Sequence, residues 1–210
     1  KAVGKPQARF REDGLRMLRF YRFLATLDLH PAYATKWAIN PEWSAPVSGE
    51  RMRDELGKLL LGKHVRLGLE GLLRSGLLKE FLPEVADLNS SREVHSRHRW
   101  RLWEHTVIAV SSIKPQLHLR LAALLHDIAK PNTRLVNQSG VHYYGHDQLG
   151  AELSKTILER LRFPSQTSDS VTRLVRWHMF DLDEQASDAA IRRLIARIGS
   201  PNIPDLLELR

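Results

Sequence analysis

The chain has 210 residues, of which 42% are hydrophobic, and this composition is typical of one or two folded domains rather than of a disordered tail. The absence of cysteine excludes disulfides and thiolate metal sites, so we expect a cytoplasmic protein whose metals, if any, are held by histidine and carboxylate. The net charge of +8 favours polyanionic partners such as RNA, and no apolar run or leader predicts a membrane span or a signal peptide.

Apolar residues recur at helical spacing along almost the whole chain, which predicts an all-α fold. The first helix is expected to end before the His30-Pro31 pair, because a residue that precedes proline avoids helical dihedrals. Ser48 is a plausible N-cap of the second helix. The predicted helices cover residues 10–27, 50–61, 65–74, 77–81, 100–112, 117–128, 146–162, 165–179 and 187–198. The polar stretch 84–98 lacks periodicity and predicts a domain junction.

The helical pattern is interrupted between Lys130 and His146. This segment contains the turn-forming residues Pro131, Asn132, Gly140 and Gly145, and Tyr143-Tyr144 is expected to form a short extended segment. A loop of this length inside a compact helical domain is usually functional or disordered. Because this one connects two histidine clusters, we expect it to lie beside a site.

Five histidine and aspartate residues form the most informative pattern. His126 and Asp127 are adjacent polar residues at the end of an apolar helix, where burial without partners would cost several kcal/mol and a bound cation would remove that cost. His105, His146 and His178 lie on other predicted helices that can converge on the doublet. A single histidine usually finds only a hydrogen bond, but the ordered set predicts a metal site. Imidazole and carboxylate ligands suit Mn, Fe, Ni, Zn or Co.

The doublet stands in the segment HDIAKP, and the order H…HD…H…H resembles the HD superfamily of metal-dependent phosphohydrolases, whose helices carry one or two divalent metals. The resemblance implies a further aspartate ligand, for which Asp181 and Asp183 are candidates and Asp147 is a weaker one. It also implies that Asp127 bridges or orients the metal and that Lys130 contacts the substrate phosphate, although a surface salt bridge would also explain the lysine.

A longer resemblance covers almost the whole chain. The segment RFREDGLRMLRFYRF looks like the motif that follows the catalytic head in class II CCA-adding enzymes and bacterial poly(A) polymerases, and SGERMRDELGKLLLG resembles their neck. The resemblance implies that Asp13 and Arg16 read the base of an incoming nucleotide, a bidentate pairing of carboxylate and guanidinium with a base edge. On one predicted helix, an ordinary intrahelical ion pair between these residues is the alternative.

The nucleotide-adding head of that family, with its glycine-serine loop and its Mg-binding DxD pair, does not match any segment here. Asp181-Leu182-Asp183 has the spelling of DxD but follows the HD segment and lacks the glycine-serine loop. We therefore expect a fragment with the head, and its Mg sites, preceding Lys1. The expected division is a helical neck and body at 1–88, an HD domain at 89–185 and a helical tail at 186–210.

Two functions are compatible with this pattern. The first is an HD phosphohydrolase acting on phosphate esters of RNA ends or nucleotides, such as 2′,3′-cyclic phosphates or 2′-phosphates. The second is an RNA-holding body of a CCA-adding or poly(A) polymerase enzyme, with a vestigial or structural HD site. Both predict RNA, as tRNA or an RNA 3′ end, as a partner, with affinity that falls as salt rises. Neither predicts an oligomeric state.

Overall fold

A computed structural model describes residues 4–44, 47–90, 101–180 and 187–210 of the chain. The described residues form thirteen α-helices and one two-stranded sheet, which confirms the all-α prediction. In chain order the helices are α1 (Pro6–Glu12), α2 (Leu15–Thr26), α3 (Tyr33–Trp37), α4 (Gly49–Leu60), α5 (Val65–Arg74), α6 (Leu77–Phe81), α7 (Pro83–Ala86), α8 (Leu102–Ser112), α9 (Leu117–Leu125), α10 (His146–Arg160), α11 (Ser165–Trp177), α12 (Asp188–Ile198) and α13 (Ile203–Leu209). Short 3-10 helices cover Pro41–Ser44, Asp87–Asn89 and Ser200–Asn202.

The first predicted helix is in fact two helices, and the prediction of one continuous helix was wrong. Asp13 is extended at the end of α1, and its carboxylate accepts a hydrogen bond of 3.2 Å from the backbone N–H of Leu15 at the start of α2. Gly14 lies so close to the carbonyl of Trp43 that a Cβ at this position would collide with it. The break therefore comes from a tertiary contact, which helical periodicity does not report.

The other helices mostly follow the predicted bounds. The helices α5 and α6 have the predicted bounds, and α4 agrees within one residue at each end. Ser48 does occupy the N-cap position of α4, but its side chain accepts no hydrogen bond from the helix backbone. The helix α9 ends at Leu125, three residues earlier than predicted, so His126 and Asp127 follow the helix rather than lie within it. The sequence pattern missed α3, α7 and α13, and α7 lies partly in the stretch 84–98 that was predicted as a junction.

The first half of the molecule is a helical body in which α2 packs against α4 and α5. The second half packs directly on this body, through α5 against α8 and α4 against α9. Arg120 of α9 is buried and donates hydrogen bonds to the carbonyls of Leu60 and Gly62, at the end of α4. The two halves therefore share one continuous apolar core.

The second half is built around α9, which packs against α8, α11 and α13, while α10 packs along α11. Between α9 and α10 the chain forms an antiparallel hairpin of β1 (Leu135–Asn137) and β2 (Gly140–His142). Tyr143 and Tyr144 follow β2 instead of forming a strand, which corrects the prediction of an extended segment there. Among the described residues, no helix has the length and apolar character needed to cross a lipid bilayer.

Candidate metal centre

Four helices deliver the five histidine and aspartate residues to one place. His105 lies in the first turn of α8 rather than in the middle of a helix as the sequence predicted, and His126 and Asp127 immediately follow α9. His146 is the first residue of α10, and His178 is the C-cap of α11. Helix ends are suited to this task because a short side chain there can point along the helix axis toward a shared centre. The convergence follows from α8, α9 and α11 packing side by side and from α10 packing on α11.

Three of the histidines are oriented by the same local hydrogen bond. In each, the ring Nδ1 lies within hydrogen-bond distance of the backbone carbonyl three residues earlier. The distances are 2.8 Å from His126 to Ala123, 2.7 Å from His146 to Tyr143 and 2.7 Å from His178 to Val175. A carbonyl oxygen can only accept, so Nδ1 carries the hydrogen and Nε2 is the atom directed at the centre. Metal-binding histidines are commonly oriented in this way.

The Asp127 carboxylate lies at the middle of the cluster and is only 2% exposed. Its Oδ2 is 3.1 Å from Nε2 of His126 and 3.6 Å from Nε2 of His105, and these two ring nitrogens are 3.0 Å apart. Its Oδ1 is 3.6 Å from Nε2 of His146 and 3.8 Å from Nε2 of His178. Asp127 therefore presents one carboxylate oxygen to each pair of histidines.

Two overlapping groups of ligand atoms result, and each is compact enough to hold a metal ion. One comprises His105, His126 and Asp127, and the other comprises Asp127, His146 and His178, with all ligand atoms of a group within 4.8 Å of one another. In the second group Asp127 Oδ1, His146 Nε2 and His178 Nε2 are all buried and have no hydrogen-bond partner among the residues that the structure describes. Buried polar atoms without partners are costly and uncommon, and a cation among these three atoms would satisfy all of them. The residues therefore fit a divalent metal.

Charges in the cluster shift the pKa values of its members. Burial acts to raise the pKa of Asp127, but His126, His178 and Lys130 outweigh it and hold that pKa well below its ordinary range. Burial likewise acts to lower the pKa of His126, yet the adjacent Asp127 carboxylate raises it overall. Burial lowers the pKa of His146, which favours the neutral imidazole that a metal requires.

Lys130 is buried, and its ammonium donates a hydrogen bond of 2.8 Å to Oδ2 of Asp127. The salt bridge of the alternative interpretation is therefore present, but it is buried rather than on the surface. The ammonium also lies 5.6 Å from the ring centroid of Tyr143, the residue whose carbonyl orients His146. Lys130 thus places a positive charge at the edge of the centre, as a phosphate-contacting residue must.

Of the three aspartates predicted as a further metal ligand, the structure describes one. Asp147 follows His146 directly, but its carboxylate pairs with Arg176 of α11 and belongs to neither group of metal-ligand atoms. Asp181 and Asp183 lie outside the described residues. The Asp147 and Arg176 ion pair joins α10 to α11 beside their histidines, and sequence reasoning missed Arg176 because an arginine on a helix face gives no signal of its partner.

The two residues expected to read a nucleotide form ion pairs with other residues rather than with each other. Asp13 pairs with Arg51 of α4 at 2.8 Å, and Arg16 pairs with Glu12 at 2.7 Å. The alternative prediction of an ion pair between Asp13 and Arg16 on one helix is therefore wrong, because the break before α2 directs Asp13 toward α4. Burial acts to raise the pKa of Asp13, but Arg51 and the Leu15 N–H lower it overall, so the carboxylate is ionised and able to accept.

The structure thus has a cluster of histidine and aspartate residues, held by helices that pack on a helical body. Two protein families match these two parts of the chain. The family described as "HD domain" matches residues 96–202, and the family described as "Probable RNA and SrmB- binding site of polymerase A" matches residues 45–88. The first match covers half of the chain. The chain therefore belongs to the HD-domain family.

Curated relatives extend the similarity to the helical body. The CC-adding tRNA nucleotidyltransferase of Thermus thermophilus is 36% identical over 94% of this chain and 48% of its own length. The A-adding tRNA nucleotidyltransferase of Deinococcus radiodurans is 35% identical over 95% of this chain, and the multifunctional CCA protein of Halorhodospira halophila is 30% identical over 81%. The resemblance to the tRNA nucleotidyltransferase family is thereby confirmed. The chain spans about half the length of the curated relatives it matches.

Proposed function

We propose that the HD segment is a metal-dependent phosphohydrolase that acts on phosphate esters of RNA ends or nucleotides. The observation that carries the proposal is the set of three buried, unpartnered atoms, Asp127 Oδ1, His146 Nε2 and His178 Nε2, at the meeting point of three helix ends. A purely structural cluster would be expected to satisfy its polar atoms internally. The names of the relatives, which act on tRNA, support RNA as the polymer to which the ester belongs.

The proposed ligands are His105, His126, Asp127, His146 and His178. Their nitrogen and oxygen atoms suit Mn, Ni, Co, Fe or Zn better than Mg, which prefers carboxylates and water. When bound, such a metal supplies Lewis acidity, which polarises a phosphoryl oxygen and acidifies a water molecule. Because the two groups of ligand atoms share Asp127, one ion or two can be accommodated, and a count of bound metal distinguishes these cases.

The protein's own residues contribute orientation and charge. The three backbone carbonyls fix the imidazole rings, so their Nε2 atoms need no rearrangement to act as ligands. Asp127 holds the two halves of the cluster together through its two oxygens. Lys130 is placed to offset the negative charge that develops on a phosphate during hydrolysis, a form of electrostatic stabilisation.

Hydrolysis of a nucleoside 2′,3′-cyclic phosphate by the purified chain, with Mn²⁺, Ni²⁺ or Co²⁺, tests the proposal. We expect turnover that a chelator abolishes and that the double variant His126→Ala with Asp127→Ala lacks. His118→Ala is the matched control, since His118 is a half-buried histidine of α9 that pairs with Asp205 outside the cluster. Equal rates in the wild type and the double variant would rule out catalysis at this site.

A second function rests on a different observation, the match of residues 45–88 to an RNA-binding family. We propose that the body holds RNA, a tRNA or an RNA 3′ end, through its basic surface, and that the two roles are compatible in one protein. Affinity for tRNA should fall steeply with salt because phosphate contacts release counterions. Binding that persists without metal and without hydrolysis would support a body with a structural HD site. A flat salt dependence would contradict RNA binding through charge.

Nucleotide reading by Asp13 and Arg16 stays a proposal. Both side chains are engaged in ion pairs, so a nucleotide would have to displace Arg51 from Asp13 and Glu12 from Arg16. Solvent-exposed ion pairs contribute little to stability, so a bidentate base contact can replace them.

A further inference from the structure

The hairpin between α9 and α10 carries an aromatic pair at its base, beside the metal centre. The imidazole of His142, the last residue of β2, stacks on the ring of Tyr144 with a centroid distance of 5.1 Å and an interplanar angle of 7°. Tyr144 is nevertheless 70% exposed. The stack therefore covers one face of the tyrosine ring and leaves the other open to solvent.

The imidazole of this pair is held in place through both of its nitrogens. Nε2 of His142 is 2.9 Å from Oγ of Ser139 and 3.1 Å from Oδ1 of Asn137, and Nδ1 is 3.2 Å from the hydroxyl of Tyr144. An exposed ring that is already ordered loses little conformational entropy when a ligand covers it. The pair is thus a rigid flat surface rather than two mobile side chains.

Tyr143 connects the stack to the metal centre, since it lies between His142 and Tyr144 in the sequence and contacts residues of the centre. The carbonyl of Tyr143 orients His146 at 2.7 Å, and its ring lies 5.6 Å from the ammonium of Lys130. Tyr144 is two residues from His146, a span of at most about 7 Å between Cα atoms. That distance is comparable to the separation of a nucleobase from its own 3′ phosphate.

We propose that the open face of Tyr144, supported by His142, is a nucleobase subsite of the metal centre. The terminal base of an RNA 3′ end, or the base of a free nucleotide, stacks on Tyr144 while its phosphate reaches Lys130 and the Asp127 cluster. Stacking of this kind accepts any base, because every base has an aromatic face. This inference rests on the proposed phosphohydrolase function and names the substrate class of that site.

The hairpin's other exposed side chains fit a small ligand better than a protein partner. Leu135, Val136 and Val141 are exposed, but each strand has only three residues. A stable protein interface buries about 800 Å² on each partner, which is more than so short a ribbon offers. A single base needs only the face of one ring.

Equilibrium binding of adenosine 3′-monophosphate to the metal-free full chain tests the subsite separately from catalysis. We expect Tyr144→Ala to weaken this binding about tenfold, in line with the loss of one base stack, while the affinity for inorganic phosphate is unchanged. Tyr144→Phe should retain most of the affinity because the ring remains. Tyr33→Ala is the control, since Tyr33 is also strongly exposed, at 75%, but belongs to α3 of the body.

Several outcomes would overturn the subsite. Nucleotide binding by Tyr144→Ala that equals the wild type would do so. Equal losses of phosphate and nucleotide affinity in Tyr144→Ala would indicate a general effect on the centre. A loss of nucleotide affinity in Tyr144→Phe as large as in Tyr144→Ala would assign the effect to the hydroxyl rather than to stacking. Nucleotide binding that depends on Tyr144 in a chain without hydrolytic activity would refute the phosphohydrolase but keep the subsite.

Discussion

At the scale of single residues, the two oxygens of Asp127 have different surroundings. Oδ2 accepts from the Lys130 ammonium and lies next to His126, whereas Oδ1 faces two imidazoles and has no hydrogen-bond partner. Lys130 is therefore the buried cation that compensates Asp127 on one side. On the other side, within the described part of the chain, Oδ1 faces two ring nitrogens that also have no hydrogen-bond partner. A metal ion on that side would complete the compensation.

Lys130→Met should destabilise the metal-free chain by about 3–5 kcal/mol, because it leaves a buried carboxylate without its cation. Added Mn²⁺ should recover more stability in this variant than in the wild type, since the metal replaces the missing positive charge. Urea unfolding with and without metal measures both effects.

Lys58→Met provides the control for the lysine substitution, because Lys58 is an exposed lysine of α4. It should change stability little, with or without metal. If Lys130→Met were as stable as Lys58→Met, the buried ion pair would contribute nothing to stability, and the role assigned to Lys130 would be wrong.

The residues of the candidate centre could be selected from the sequence. His126, Asp127, His146 and His178 stand at the ends of predicted helices, and His105 was placed on a neighbouring amphipathic helix. The structure brings all five together. Their role as ligands stays a prediction. The carbonyls that orient the rings could not be found, because every residue has one and only the three-dimensional path of the chain decides which is near.

At the scale of elements, the contact between α4 and the end of α10 joins the body to the helix that begins with His146. Gly49, the first residue of α4, lies against the carbonyl of Arg160, and a Cβ there would collide with it. Arg53 of α4 donates a hydrogen bond of 2.5 Å to the carbonyl of Arg162. The start of α4 therefore fixes the far end of α10.

Gly49→Ala should lower the free energy of unfolding by about 1–3 kcal/mol, because the backbone must move to accept the methyl group. Gly57→Ala on the same helix is the matched control, since its Cβ would meet only a side-chain methyl of Leu117, at 3.6 Å. That variant should be neutral or gain up to about 1 kcal/mol from helix propensity. Equal stabilities for the two variants would show that the α4 and α10 contact is loose.

The ion pair of Glu84 and Arg160, at the same end of α10, makes the free energy of unfolding depend on pH. Burial acts to raise the pKa of Glu84, but two hydrogen bonds from Arg160 lower it overall. A depressed carboxyl pKa stabilises the fold above the unfolded value of about 4.3, and this contribution is lost as pH falls through the folded value.

Glu84→Gln should therefore cost up to about 1 kcal/mol at pH 7, a small value because the pair is partly exposed. The difference from the wild type should shrink as pH falls below about 4, because the carboxyl becomes protonated first in the unfolded chain and then, at its lower pKa, in the folded chain. Unfolding curves at pH 7 and at acidic pH check this. Glu80→Gln, at an exposed position of α6, should show no such trend, and a difference for Glu84→Gln that is constant with pH would contradict the assignment.

The elements themselves were predictable where local periodicity decides the structure. The helices α5 and α6 match the predicted bounds because their apolar positions repeat at helical spacing. The break at Asp13 and Gly14 was not predictable, because the cause is the approach of Trp43 from a distant segment. The hairpin was expected only as a loop, since its strands are three residues long and exposed.

At the scale of the whole molecule, the helical body and the HD segment share one apolar core, so the candidate metal centre is packed against the body. The division into 1–88, 89–185 and 186–210 stays a prediction. The buried Arg120, which donates to carbonyls at the end of α4, joins the two halves.

The metal content of the purified chain, after equilibration with Mn²⁺ or Zn²⁺ and removal of excess ion, tests the candidate centre without any assumption about its substrate. We expect at least one equivalent of metal in the wild type and in the His118→Ala control. We expect a strong loss in Asp127→Ala and in His178→Ala, with circular dichroism to show that both are folded. Metal-free wild type, or an unchanged content in both site variants, would contradict the assignment of this cluster as a metal centre.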